Sequence, residues 1–129
     1  MNVFTYGSLM FEEIWLAVTG RKTASVTGTL HGYAAWRIAG QTFPGLAPAV
    51  GENTLGRVWQ DVTTNELQRL DCFEAGIYDR QLLPVRTSGD TEVSCWTYVV
   101  RPDSQSLLLR DRWDADEFRR EHLANFMRD

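Results

Sequence analysis

Residues 63–100 read TTNELQRLDCFEAGIYDRQLLPVRTSGDTEVSCWTYVV. The stretch opens on Thr63 and Glu66, the N-cap and N3 positions of a capping box, so a helix starts there. Leu67 and Leu70 turn its apolar side inward, and Gly76 is its expected stop. Two runs rich in β-formers follow, Tyr78–Arg86 and Glu92–Val100, joined by the turn residues Ser88-Gly89-Asp90. One helix followed by two consecutive strands is not the regular alternation of a doubly wound sheet.

The same uneven order continues on both sides. Asn2–Tyr6 reads as a short strand that Gly7-Ser8 interrupts. Ser8 is then expected to cap a helix carrying Leu9, Ile14, Trp15, Leu16 and Val18, with Glu12 and Glu13 in its first turn and Gly20 just past its end. Lys22–Ile38 reads as one long strand, or two strands with a bulge at its glycines, Gly28 and Gly32. Thr42–Val50 holds Pro44 and Pro48 and is expected as an extended edge or loop, not a central strand. Thr54–Val62 reads as a strand. Asp114 opens a last helix with a second capping box closed by Glu117. Trp113 and Phe118 occupy the positions of a hydrophobic staple, and Phe118, Leu123, Phe126 and Met127 form an apolar stripe. Five or six strands and two or three helices, unevenly interleaved, indicate an α+β fold.

Composition narrows the function. The 129 residues suit one domain, 1–129, with a core of its own. Lys22 is the only lysine, the arginines are scattered, and the net charge is −4, so no basic stripe awaits nucleic acid. No apolar run is long enough to span a membrane. The opening Met1-Asn2-Val3-Phe4 lacks the basic-then-apolar order of a signal peptide. Cys72, Cys95, His31 and His122 are too widely spaced to suggest a zinc site. A soluble cytoplasmic protein with reduced thiols and no metal or cofactor is expected.

Three features are candidates for chemistry. In Phe4-Thr5-Tyr6-Gly7-Ser8-Leu9 a strand runs through a glycine turn into a helix start, which offers free backbone N–H groups to an anion; alternatively Gly7 only turns the chain and Ser8 only caps. In Leu67, Leu70 and Glu74 the spacing is i, i+3, i+7, so Glu74 faces inward with the leucines, where burial raises a carboxyl pKa. Asp71 adds like charge to it, or pairs with an arginine such as Arg69 or Arg80. The alternative is a helix that ends early and leaves Glu74 solvated. Cys72 is read as a small core residue rather than a nucleophile, because no histidine lies near it to activate it.

These residues resemble a known family. FTYGSLM at the N-terminus looks like the YGSL/YGTL signature of the γ-glutamylcyclotransferase-like superfamily. Pro44 and Pro48, Gly56 to Trp59, Leu70-Asp71-Cys72-Phe73-Glu74 and Tyr78-Asp79-Arg80 follow in the order of its branch of plant avirulence-induced-like proteins and γ-glutamylamine cyclotransferases. The tail WDADEFRREHL is similar to the last helix of the plant-type members. The resemblance spans roughly the whole chain. It implies a small mixed β-barrel of five to seven strands with two to four helices around it. It also implies a site. The turn Tyr6, Gly7, Ser8 and Leu9 would hold the glutamyl group, Glu74 would be the general acid/base, and Tyr78 would stand beside it. One departure is Ala75, where glycine is common in the family.

The reaction so implied is intramolecular. The α-amine of a γ-glutamyl group attacks its own γ-carbonyl, releasing 5-oxoproline and an amine or amino acid. The substrate supplies the nucleophile, so a sparse catalytic set suffices. An ordinary Glu sits about 3.5 pKa units below an α-ammonium, roughly 4.8 kcal/mol against proton transfer, and a raised Glu74 would remove most of that. The rival expectation is a non-catalytic module that binds or senses a small ligand with the same anion-holding turn. An acid/base pair of Asp71 and Glu74 is disfavoured, because residues three apart on one helix do not flank a substrate from opposite sides.

Overall fold

The computed structural model describes residues 1–74, 76–89 and 91–128, with Arg128 by its backbone alone. Its strands are β1 (Val3–Thr5), β2 (Ser25–Ile38), β3 (Pro44–Trp59), β4 (Tyr78–Arg86), β5 (Glu92–Val100) and β6 (Leu108–Arg112). Its helices are α1 (Glu12–Thr19), α2 (Thr64–Phe73), α3 (Ala115–Glu121) and α4 (Leu123–Arg128). The order β3-β1-β5-β4-β2 returns to β3 through the β2–β3 pairing and closes a five-stranded barrel, and β6 adds to the far end of β2. All pairs are antiparallel except β1 with β5. The α+β class is the one expected from the order of elements, and the mixed barrel is the one the family resemblance implies.

The long β2–β3 ladder needs two concessions to sterics. Its register shifts between His31 and Tyr33, at Gly32, whose φ of +83° is open to glycine. Of the two expected forms, the segment holding Pro44 and Pro48 is the extended edge and not the loop, and it is continuous with the strand after it. It is the first half of one 16-residue strand, paired to Arg37 and Tyr33 of β2. The prolines are tolerated because β1 borders β3 only from Arg57 to Trp59. Their half of β3 has a ladder on one side, so a missing N–H on the other side costs nothing.

Side-chain alternation divides the core in two. Phe4, Leu30, Leu46, Val58, Val85, Cys95 and Val99 pack together within the barrel. Their neighbours in sequence, Val3, Trp59 and Tyr98, face outward and join Leu9, Ile14, Trp15, Leu67, Leu70 and Phe118 under the helices. Trp15 and Trp59 stack there with ring centroids 4.3 Å apart, and each indole N–H reaches a threonine hydroxyl, Thr23 and Thr5.

The capping box at Thr63 and Glu66 forms in both directions. Glu66 is also held by two hydrogen bonds from Arg21, which bring its carboxyl down to about 2 against the pull of burial. A folded-state pKa below the unfolded value gives stability present at neutral pH and lost as pH falls from about 4.5 toward 2. Glu66→Ala is therefore expected to cost about 1–2 kcal/mol at pH 7. The deficit should shrink toward pH 2 in urea titrations run against wild type.

The C-terminal prediction is corrected in two respects. Asp114 caps the amides of Asp116 and Glu117, but the Glu117 carboxylate turns away to Arg37, so this capping box is half-made. The single helix is two, interrupted at His122, and Met127 is exposed. The Trp113–Phe118 staple is present, with ring centroids 5.7 Å apart.

Candidate functional site

β1 lies in the barrel wall between β3 and β5, and the chain leaves its end at Tyr6. Ser8–Met10 form a single 3₁₀ turn, closed by the Met10 N–H on the Gly7 carbonyl. Ser8 therefore does not cap an α-helix. α1 starts at Glu12 behind Phe11, and its own Glu12 and Glu13 occupy its positive end. What the turn offers is local: the N–H groups of Ser8 and Leu9, ahead of its first internal bond, and the Ser8 hydroxyl. Ser8 and Leu9 are buried. Gly7 is fixed by packing, because a Cβ there would lie 2.9 Å from both Cδ and Cγ of Pro44.

Glu74 is the C-cap of α2, with its N–H on the Leu70 carbonyl at 2.9 Å. Leu67 and Leu70 are buried beneath it, as their spacing predicts. Glu74 and the turn Tyr6–Leu9 line one cavity of about 410 Å³, together with Tyr78, Tyr98, Phe43, Pro44, Phe73 and Phe126. That volume is ordinary for a small-molecule site, roughly 300–1,000 Å³. Every residue proposed from the sequence for the site thus borders the same space.

The tyrosines around it are committed. Tyr6 donates to the Tyr98 carbonyl, Tyr78 to the Pro44 carbonyl, and Tyr98 to the Asp71 carboxylate at 2.7 Å. Burial raises all three phenols, the nearby Glu74 charge pushing the same way, so they stay protonated donors. Arg80 grips Asp71 at 2.9 and 3.2 Å and lies over the Trp96 ring. Asp71 is thereby a structural anion between Arg80 and Tyr98. Of the two expectations for Asp71, pairing with Arg80 is the one that holds, and like charge from Asp71 does not raise Glu74. The Glu74 carboxyl is pushed up to about 7 by burial. Among the described residues no side chain or backbone group hydrogen-bonds to it.

Other sequence expectations resolve differently. Cys72 is exposed rather than a core residue and does not line the cavity; Cys95 is the buried thiol. Ala75, the family departure, and Asp90, one of the expected turn residues, lie outside the described residues. Glu117, Glu121 and His122 bring one ligand atom each within 4.8 Å of one another, yet Arg37 already holds Glu117. Among the described residues no helix is long and apolar enough to cross a membrane. Sequence reasoning missed Tyr98 and the aromatic rim of Phe43, Phe73 and Phe126. Tyr98 was findable in principle, since it sits directly opposite Arg80 in the β4–β5 ladder.

The comparisons with known proteins converge on one family. The family described as gamma-glutamyl cyclotransferase, AIG2-like, matches residues 3–118. AIG2-like protein D of Arabidopsis thaliana is 30% identical over 130 residues, an alignment that takes in 98% of this chain and 84% of that protein. The solution structure of an Arabidopsis thaliana protein superposes with a TM-score of 0.76 at 28% identity, over 98% of this chain and 77% of that one. A solved gamma-glutamyl cyclotransferase shares the fold, with a TM-score of 0.64 at 18% identity over 82% of this chain and 74% of its own. With its barrel, its YGSL turn and its LDCFE helix end in the family's order, the chain belongs to the gamma-glutamyl cyclotransferase, AIG2-like family.

Proposed function

We propose that this cavity cyclises a γ-glutamyl compound to 5-oxoproline, releasing a free amine or amino acid. The observation that carries the reading is Glu74: a carboxyl without a hydrogen-bond partner among the described residues, held near neutrality in a cavity whose tyrosines are already engaged. A carboxylate kept merely for structure would be paired, as Asp71 and Glu66 are.

The α-carboxylate of the substrate sits on the amides of Ser8 and Leu9, and Tyr78 walls the site beside Glu74. Glu74 takes a proton from the α-ammonium, whose pKa is about 7.7–8.0. From a carboxyl near 7 that transfer opposes the reaction by only about 1 kcal/mol. The freed nitrogen attacks the γ-carbonyl carbon, and a new C–N bond closes the five-membered ring. As the bond from that carbon to the leaving nitrogen breaks, Glu74 gives that nitrogen the proton; it then takes the second proton from the ring nitrogen and passes it to the departing amine or to solvent, so the ring keeps one N–H. No water is consumed and no covalent enzyme intermediate forms.

5-Oxoproline release from a panel of γ-glutamyl amines and γ-glutamyl amino acids tests the reading. Binding without release across the panel would favour the ligand-binding module instead. Gly7→Ala is expected to lower kcat/KM at least tenfold, because its methyl group forces the turn off the rigid Pro44 ring and moves the two amides. Unchanged kinetics in that variant would remove the turn from the site.

A further inference from the structure

The cavity is chemically two-ended. Its buried end holds the polar groups of the turn, the Ser8 hydroxyl and the Ser8 and Leu9 amides, among the apolar side chains of Phe4, Leu9 and Ile38. Its outer wall is Phe43, Phe73, Leu107 and Phe126. Phe73 and Leu107 are 38% and 42% exposed, which puts them at the mouth. Phe73 and Phe126 meet edge to face, with ring centroids 6.0 Å apart. Among the described lining residues there is no arginine, lysine or aspartate, and Glu74 is the only carboxylate. Gln41, exposed at the edge, is the one amide side chain.

We infer that the leaving group is an apolar amine with no charged substituent, branched aliphatic or aromatic, seated against Phe73, Leu107 and Phe126. This rests on the cyclisation reading and deepens it. The glutamyl end brings the substrate's α-carboxylate and α-amine, and the buried end holds the polar groups that can receive them. The other end then lies along the apolar wall. A carboxylate there, as in a γ-glutamyl amino acid, would lose water without gaining a cation from the described lining residues, and an ammonium would have only Glu74 among them, which the reaction itself uses. A branched alkyl or aryl group instead covers rings that are otherwise wet. The described wall of the mouth favours an apolar group over a charged one.

The test compares γ-glutamyl-isobutylamide with γ-glutamylglycine, which differ by a planar carboxylate in place of an isopropyl end, and with the γ-glutamyl amide of ethylenediamine as the cationic case. The kcat/KM for 5-oxoproline release is expected to be at least about tenfold higher for the isobutylamide than for either charged substrate. In Leu107→Lys the isobutylamide-to-glycine ratio should fall several-fold, and Phe73→Ser, at a second half-exposed position, should lower it as well. A merely structural role for these residues would depress all substrates together and leave the ratio unmoved, which overturns the inference. Equal or faster release from a charged substrate overturns it too, while leaving cyclisation intact. Silence from wild type on all three, and on a wider γ-glutamyl panel, overturns cyclisation and the inference with it.

Discussion

Glu74→Gln is expected to fold normally and to release 5-oxoproline at least about a hundredfold more slowly than wild type. The amide fills the same space but cannot accept a proton from the α-ammonium or return one to the leaving nitrogen. Wild-type kcat/KM should climb through pH 7 as Glu74 ionises, and that limb should vanish in the variant. A second consequence separates this residue from a structural one. Its folded-state value of about 7 lies above the unfolded 4.5, so the protonated group gives stability that is complete below about pH 4.5 and is lost as pH rises through 7. The difference of about 2.5 units corresponds to about 3 kcal/mol at most. Glutamine carries no charge at any pH, so the inactive variant should be the more stable protein at pH 8.5 and match wild type near pH 4.5. Urea titrations at the two pH values measure this. A wild type as stable as the variant at pH 8.5 would show that Glu74 does not resist ionisation in the fold.

The second large effect is on the barrel. Gly56→Ala is expected to destabilise the fold by about 3 kcal/mol or more, at the upper end of overpacking costs. A Cβ at Gly56 would stand 2.2 Å from the Thr5 carbonyl oxygen and 2.7 Å from Cζ of Phe4. The first is backbone and the second a ring buried in the barrel, so neither can swing aside. The relief available is displacement of β1 from β3. Because Thr5 is followed directly by Tyr6, that displacement carries the turn with it. Thermal melts should show the loss of stability, and activity should fall further than the unfolded fraction explains. An alanine variant with wild-type stability would contradict the close approach of these strands.

Much of this architecture was legible in the chain because local chemistry governs it. The Thr63–Glu66 box, the strands Tyr78–Arg86 and Glu92–Val100, and the stop at Gly20 each depend on residues within a few positions of one another. The inward face of Leu67, Leu70 and Glu74 follows from helical spacing alone. Where the chain left alternatives open or pointed the wrong way, the origin is different. Pro44 and Pro48 argued against a central strand and left an edge or a loop, and only the topology reveals that their half of β3 is an edge with one neighbour. Ser8 has the chemistry of an N-cap, yet the chain spends it in a 3₁₀ turn that Pro44 holds from outside. Asp71 is near Glu74 in sequence, but Arg80 and Tyr98, from two other strands, determine where its charge is used. Long-range contacts decided each of these, and no window of sequence contains them.

The placement of β1 also bears on the order of events in time. The strand has three residues, and Val3 meets Trp59 on one side and Trp96 on the other, partners far along the chain. β2 and β3 are long neighbours joined by a short connection and can zip locally; β1 must wait until both of its borders exist. The first strand in sequence is therefore expected to be the last stave set into the barrel. Since the YGSL turn hangs from its end, the cavity comes into being only when the wall closes, and a chain with its hairpins formed but β1 adrift is mostly folded and wholly without a site.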